Sequence, residues 1–163
     1  MKTLVVGFGL SGRCAAQYLS FRGDDVVVYV DETHHLKECS YPVLGSLSND
    51  IIDTLDLCVV SPGVSPKHDL ICRLKERGIP IVTEVALGLE VWTGPIIAIT
   101  GSNGKSTVAS MVYHLLSSKG ERVVLAGNIG VPLTSPEVIE KSNYILVLEL
   151  SSYQLEWLDS LNY

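Results

Sequence analysis

Pro95-Ile96-Ile97-Ala98-Ile99-Thr100-Gly101-Ser102-Asn103-Gly104-Lys105-Ser106-Thr107 is the stretch from which the fold is read. The apolar run Ile96–Ile99 predicts a strand. It enters a polar loop with two glycines, and a helix is expected from Lys105 to Lys119. Backbone N–H groups of such a loop can ring phosphate oxygens, Lys105 can reach β/γ-phosphates, and the Ser106 hydroxyl can ligate Mg²⁺. The common phosphate-loop spacing would put glycine where Ile99 stands, so this loop is a shorter relative of it.

Downstream, Val123–Ala126 reads as a strand, Gly127-Asn128-Ile129-Gly130 as a loop, Pro136–Lys141 as a short helix and Tyr144–Glu149 as a strand leading into a helix over Leu150–Leu161. Glu149 therefore closes an apolar strand after the phosphate loop, where a magnesium-binding acid belongs in this architecture. A carboxylate there also suits a helix N-terminus, and the two readings are compatible. Asn128 falls at a strand-to-loop edge on the same side of the sheet. An Asn among glycines is ordinarily a turn residue, but this position suits substrate contact.

Upstream, the strand Leu4–Val6 runs into Gly7-Phe8-Gly9-Leu10-Ser11-Gly12, a G-x-G-x-x-G that opens a helix over Ser11–Arg22. Its glycines permit a sharp turn and close approach to a pyrophosphate, and the helix start offers free N–H groups. The unbroken apolar run of Val26–Val30 suits a strand covered on both faces, and Asp31 closes it where an acid would meet a ribose hydroxyl. Further expected elements are a strand at Val43–Leu44, a helical turn near Ile51, a strand at Leu57–Val60 ending at Ser61-Pro62-Gly63, a helix over Lys67–Arg77, a strand at Ile81–Val82 and a helix over Thr83–Glu90. About four or five strands precede residue 94, where a double mononucleotide unit needs six. The first ligand is thus expected to carry one nucleotide plus something else.

The fold class is α/β: a Rossmann-like parallel sheet over residues 1–93, then an incomplete phosphate-loop α/β unit over 94–163, with a junction around Val91-Trp92-Thr93-Gly94-Pro95. The 163 residues, 47% hydrophobic and 18% charged, can bury a core. A net charge of −6 disfavours nucleic acid as a partner. Cys14, Cys39, Cys58 and Cys72 match no metal-binding spacing and read as small core residues in a reducing cytosol. The N-terminus does not read as a signal peptide, and no apolar run approaches the length of a membrane span, so a cytoplasmic chain without membrane insertion is expected. His34 and His35 read as loop residues, and His68 and His114 as helix residues outside any metalloenzyme spacing. The last helix has no stop signal at Leu161-Asn162-Tyr163, which reads as the front part of a longer protein.

Taken together, Thr100–Thr107, Gly127–Gly130 and Leu148-Glu149-Leu150-Ser151-Ser152-Tyr153-Gln154-Leu155-Glu156 resemble the Mur ligases, the last two motifs pointing to the D-glutamate-adding type. The resemblance implies an ATP-dependent, ADP-forming ligase of cell-wall peptidoglycan synthesis, monomeric, that joins D-glutamate to UDP-N-acetylmuramoyl-L-alanine through an acyl phosphate. It implies a third, C-terminal domain beyond this chain, and no activity from residues 1–163 alone. It assigns ATP to Gly101, Ser102, Asn103, Gly104, Lys105, Ser106 and Thr107, and Mg²⁺ to Ser106 and Glu149. Lys105, Glu149 and Asn128 become the catalytic candidates. Gly9, Leu10, Ser11, Gly12, Asp31, Glu32 and Gly63 surround the UDP, with Asn128 and Ser151 near the reacting end. Members of the family often carry a basic residue after the acid that closes the second strand; here Glu32-Thr33-His34 follow Asp31. Two alternatives stand beside this reading: an NAD-binding redox or sensor domain built on the first loop, and a sister Mur ligase adding another amino acid.

Overall fold

The structure, a computed structural model, describes residues 1–31, 39–152, 154, 155 and 157. It divides into two compact units, Met1–Glu84 and Val85–Tyr163.

The first unit is a parallel sheet of five strands, β1 (Lys2–Val6), β2 (Asp25–Tyr29), β3 (Val43–Leu44), β4 (Leu57–Val60) and β5 (Ile81–Thr83), in the order β3-β2-β1-β4-β5. Every residue of β4 is buried, as are all of β1 but Lys2, in keeping with apolar runs that carry no alternation. Helices α1 (Leu10–Phe21), α2 (Asn49–Ile52) and α3 (Asp69–Glu76) connect the strands. Helix α1 buries Gly12, Ala15, Ala16 and Leu19, one face at helical spacing. Helix α3 buries Leu70, Ile71 and Leu74, and carries Asp69 in its first turn with Arg73 and Lys75 in its last, the arrangement that complements a helix dipole. The strand order reverses direction between β1 and β4, so their carboxyl ends open the crevice in which α/β sheets of this type take ligands.

The second unit contains α4 (Glu84–Leu89, its first residue in the preceding unit), β6 (Ile96–Ile99), α5 (Lys105–Ser118), β7 (Val123–Gly127), α6 (Pro136–Ile139) and β8 (Ile145–Glu149). Its parallel sheet runs β6-β8-β7. The core gathers Val85, Trp92, Val124, Leu133, Leu146 and Leu148, among others. Gly88 on α4 lies where a Cβ would come 2.6 Å from Leu133 Cγ, so only glycine lets that leucine seat against the helix.

The expected junction at 93/94 therefore differs from the division at 84/85. Val85 and Trp92 belong to the second core, and the backbone N–H groups of Thr93 and Gly94 both donate to Ser142 O. From Val85 onward, the connector after β5 is thus built into the second unit. Element ends otherwise fall within two residues of the sequence reading. The helix expected from Leu150 is helical at Ser152, Gln154, Leu155 and Trp157, and its remainder lies outside the described residues. Among the described residues, no helix is long and apolar enough to cross a membrane.

Candidate functional site

In the first unit the glycine loop sits at the carboxyl end of β1. Gly7 adopts φ +85°, and its N–H donates to Tyr29 O at 2.9 Å. A Cβ on Gly12 would lie 2.1 Å from Gly7 O, so α1 can follow the turn this closely only with glycine there. Gly9 is the N-cap of α1, and no side chain caps the helix. The first N–H groups, around Leu10 and Ser11, therefore keep donors for an anion. Gly9 and Leu10 are exposed, while Ser11 is partly so. From β4, Ser61 Oγ donates to Gly7 O at 3.1 Å and ties the two carboxyl ends together.

Beside this loop lies a cavity of about 560 Å³ lined by Gly7, Asp31, Gly63, Val64, Ser65 and His68, among others. A second cavity, of about 310 Å³, lies towards Gly45, Ser46 and Arg73. Tyr29, Asp31 and His68 line both. Tyr29 OH donates to Asp31 Oδ1 at 2.9 Å, and His68 Nε2 is 3.2 Å from the same oxygen. Partial burial pushes the Tyr29 phenol above its ordinary pKa, and the hydrogen bond and charge of Asp31 push it further, so it stays a donor. Asp31, Gly63, Gly9, Leu10, Ser11 and Gly12 thus gather at one end of the sheet. Glu32, with His34 and His35, lies outside the described residues.

In the second unit, β6 delivers Thr100–Gly104 to the carboxyl end of the sheet. Gly104, at φ +76°, is the left-handed N-cap of α5 and leaves the helix start without a side-chain cap. Gly101, Ser102, Asn103 and Gly104 are exposed, as are Ser106 and Thr107. Lys105 Nζ donates to Gly101 O at 2.8 Å, which holds the ammonium over the loop. The sheet order places β8 directly beside β6, with Ile99 opposite Glu149.

Glu149 is 1% exposed. Its Oε1 accepts from Asn128 Nδ2 at 3.1 Å, while its Oε2 is buried with no hydrogen-bond partner among the described residues. Asn128 is held twice, since its N–H also donates to Glu149 O at 2.9 Å. Gly127 makes this approach possible: it has φ +108°, and a Cβ there would sit 2.3 Å from Glu149 O. The orphaned oxygen fits a cation, because burying a carboxylate oxygen without a partner is costly unless something positive meets it. A hydroxyl, a carboxylate and phosphate oxygens form the hard-oxygen set that Mg²⁺ takes. No cluster of three or more His, Cys, Asp or Glu among the described residues offers an all-protein cage.

Ser151 and Gln154 form a reciprocal cap at the start of the last helix. Ser151 N donates to Gln154 Oε1 at 2.8 Å, and Gln154 N to Ser151 Oγ at 3.2 Å. Ser151 keeps its hydroxyl proton for another acceptor.

Sequence reading missed Tyr29, Ser61 and His68. The helix expected over Lys67–Arg77 includes His68, whereas His68 is the N-cap of α3, with Nδ1 accepting from Leu70 N at 3.2 Å. An N-cap signal was available only in the Asp69 that follows it. Proximity to Asp31, 37 residues away, comes from the strand order.

Residues 1–83 match the family described as Mur ligase MurD-like, N-terminal domain, and residues 99–163 match the Mur ligase middle domain. A Leuconostoc mesenteroides protein named UDP-N-acetylmuramoylalanine--D-glutamate ligase is 35% identical over 163 residues, covering 94% of this chain and 36% of the relative. A Pelodictyon phaeoclathratiforme protein of the same name is 36% identical, covering 93% and 35%. The chain thus spans about a third of the length of the curated relatives it matches. Among solved structures, the UDP-N-acetylmuramate-alanine ligase of Thermotoga maritima superposes with a TM-score of 0.50 at 25% identity, over 93% of this chain and 37% of that one. A UDP-N-acetylmuramate:L-alanyl-gamma-D-glutamyl-meso-diaminopimelate ligase of Neisseria shares the fold at a TM-score of 0.54 and 19% identity, over 91% and 52%.

Proposed function

The chain belongs to the Mur ligase family, and we propose that it is the nucleotide-handling part of the D-glutamate-adding enzyme, which joins D-glutamate to UDP-N-acetylmuramoyl-L-alanine at the expense of ATP. In this reading the alanyl carboxylate of the substrate attacks the γ-phosphate of ATP. An acyl phosphate forms and ADP leaves; the amine of D-glutamate then adds to the acyl carbon and expels phosphate. The protein aligns these groups and neutralises charge on the transferring phosphoryl.

The residues divide the work between the two units. Uncapped N–H groups at Leu10 and Ser11 receive the diphosphate of the UDP end, with Asp31 and Gly63 about the nucleoside. The Gly101–Gly104 loop and the open start of α5 receive the ATP phosphates, and Lys105 exchanges its loop carbonyl for phosphate oxygens. Ser106 and Glu149 would hold Mg²⁺, which supplies positive charge to the β/γ-phosphates when bound. Asn128, fixed on Glu149, and Ser151 contact the reacting end of the substrate.

Glu149 carries this reading. Its buried, half-satisfied carboxylate closes the strand next to the one that feeds the phosphate loop. A nicotinamide-binding module uses neither feature, and among the described residues the first sheet has five strands where a dinucleotide unit has six. Thermal denaturation with added ligands tests the choice. UDP-N-acetylmuramoyl-L-alanine at about 100 times its Kd should stabilise the chain by about 2.7 kcal/mol. Stabilisation by NADH without any response to the UDP substrate would establish the redox reading instead.

A further inference from the structure

Asp31 lines both of the cavities described above and has two donors already aimed at it. Tyr29 OH and His68 Nε2 both address Oδ1, at 2.9 and 3.2 Å, so neither engages Oδ2. The ring of His68 is itself fixed. Its Nδ1 accepts from Leu70 N at 3.2 Å, which makes Nδ1 the bare nitrogen and leaves the proton of the neutral ring on Nε2. The start of α3 therefore sets the tautomer, and the tautomer makes His68 a donor to Asp31. The Asp31 side chain is 69% exposed and would turn freely on Tyr29 alone, since that residue lies only two positions away on the same strand end. His68 adds a second anchor from across the sheet, beyond β4.

We propose that His68 is a positioning residue for nucleoside recognition: it locks the Asp31 carboxylate so that Oδ2 is presented to a neutral N–H or O–H donor of the ligand's nucleoside. The inference rests on the nucleotide reading of this crevice given above. A carboxylate is acceptor-only, so the locked group selects a donor and repels a ligand bearing phosphate at that point. The nucleoside diphosphate class fits, with its anionic end at the α1 N-terminus and its neutral end at Asp31.

His68 also caps α3, so the test separates the two roles. His68→Asn places a carboxamide oxygen where Nδ1 sits and keeps a favoured capping residue, but ends short of the Nε2 position. Titration calorimetry of the chain with UDP should show the variant binding about tenfold more weakly, about what losing one hydrogen bond's hold on a charged group gives, with its melting temperature unchanged. In an Asp31→Asn background, adding His68→Asn should leave UDP affinity where Asp31→Asn alone put it. Equal UDP affinity for the wild type and His68→Asn overturns this inference alone, as does an undiminished loss in the Asp31→Asn background. Absence of saturable UDP binding by the wild type overturns the nucleotide reading and this inference together. A nitrogen-15 NMR spectrum of the neutral ring gives a ligand-free check. The Nε2–H tautomer is expected, and a dominant Nδ1–H tautomer refutes the proposal.

Discussion

Replacing Glu149 with Gln should make the ligand-free protein more stable while removing its response to magnesium nucleotide. The side chain is 1% exposed; Oε1 accepts from Asn128, and Oε2 has no partner. A buried polar group left unsatisfied costs about 1–3 kcal/mol, and more when charged. Glutamine keeps the shape and an oxygen for Asn128 Nδ2, and puts a neutral amide where the unmatched charge was. The amide still lacks a partner, so only the difference between charged and neutral burial is recovered, about 1 kcal/mol. In a unit the size of Val85–Tyr163 that corresponds to a rise in melting temperature of about 4–8 °C. Urea and thermal unfolding of both proteins without ligand give the first number. Repeating them with MgATP gives the second: the wild type should gain about 2.7 kcal/mol at 100 times its Kd, and Glu149→Gln only a small part of that. Loss of stability in the ligand-free variant would mean that the carboxylate is structurally satisfied. An undiminished MgATP response would mean that the acid has no part in the metal site.

Gly12→Ala should destabilise the first unit by about 3 kcal/mol in urea titration and abolish UDP binding, since the added methyl lies 2.1 Å from the Gly7 carbonyl oxygen. Ser151→Ala should cost about 1 kcal/mol in the same assay by opening the reciprocal cap with Gln154. On the proposed function, Lys105→Ala in an active ligase that carries this chain should slow acyl-phosphate formation by hundreds-fold, or about 3–4 kcal/mol, because Lys105 would stabilise the transferring phosphoryl. Its melting temperature should hardly move, since among the described residues Lys105 bonds loop carbonyls alone. Turnover near the wild-type value would remove Lys105 from the mechanism.

Local chemistry made most of the fold readable. Apolar runs such as Leu57–Val60 and Ile96–Ile99 carry their strand character in the residues themselves, and Gly7, Gly12 and Gly104 mark the turns they make. The glycine loop between β6 and α5 is legible for the same reason, because strand, loop and helix start are contiguous, and the apolar run before Glu149 marks it as a strand end. The reach of the connector was not legible. Thr93-Gly94-Pro95 has the look of a linker, yet Thr93 and Gly94 are bonded to Ser142, a partner that only the folded second unit supplies. Nor was the Tyr29–Asp31–His68 group, whose members meet because β4 and β2 flank β1. The unsatisfied oxygen of Glu149 was likewise invisible, since it depends on Gly127 bringing Asn128 to one side of the carboxylate.

A crystal structure of this chain with UDP-N-acetylmuramoyl-L-alanine and a non-hydrolysable MgATP analogue tests the account most directly. It predicts the uridine diphosphate against the start of α1 with its nucleoside at Asp31, and the triphosphate on Gly101–Lys105 with its metal at Ser106 and Glu149. A sugar nucleotide bound away from Gly7–Gly12, or a triphosphate whose metal ignores Glu149, would contradict it.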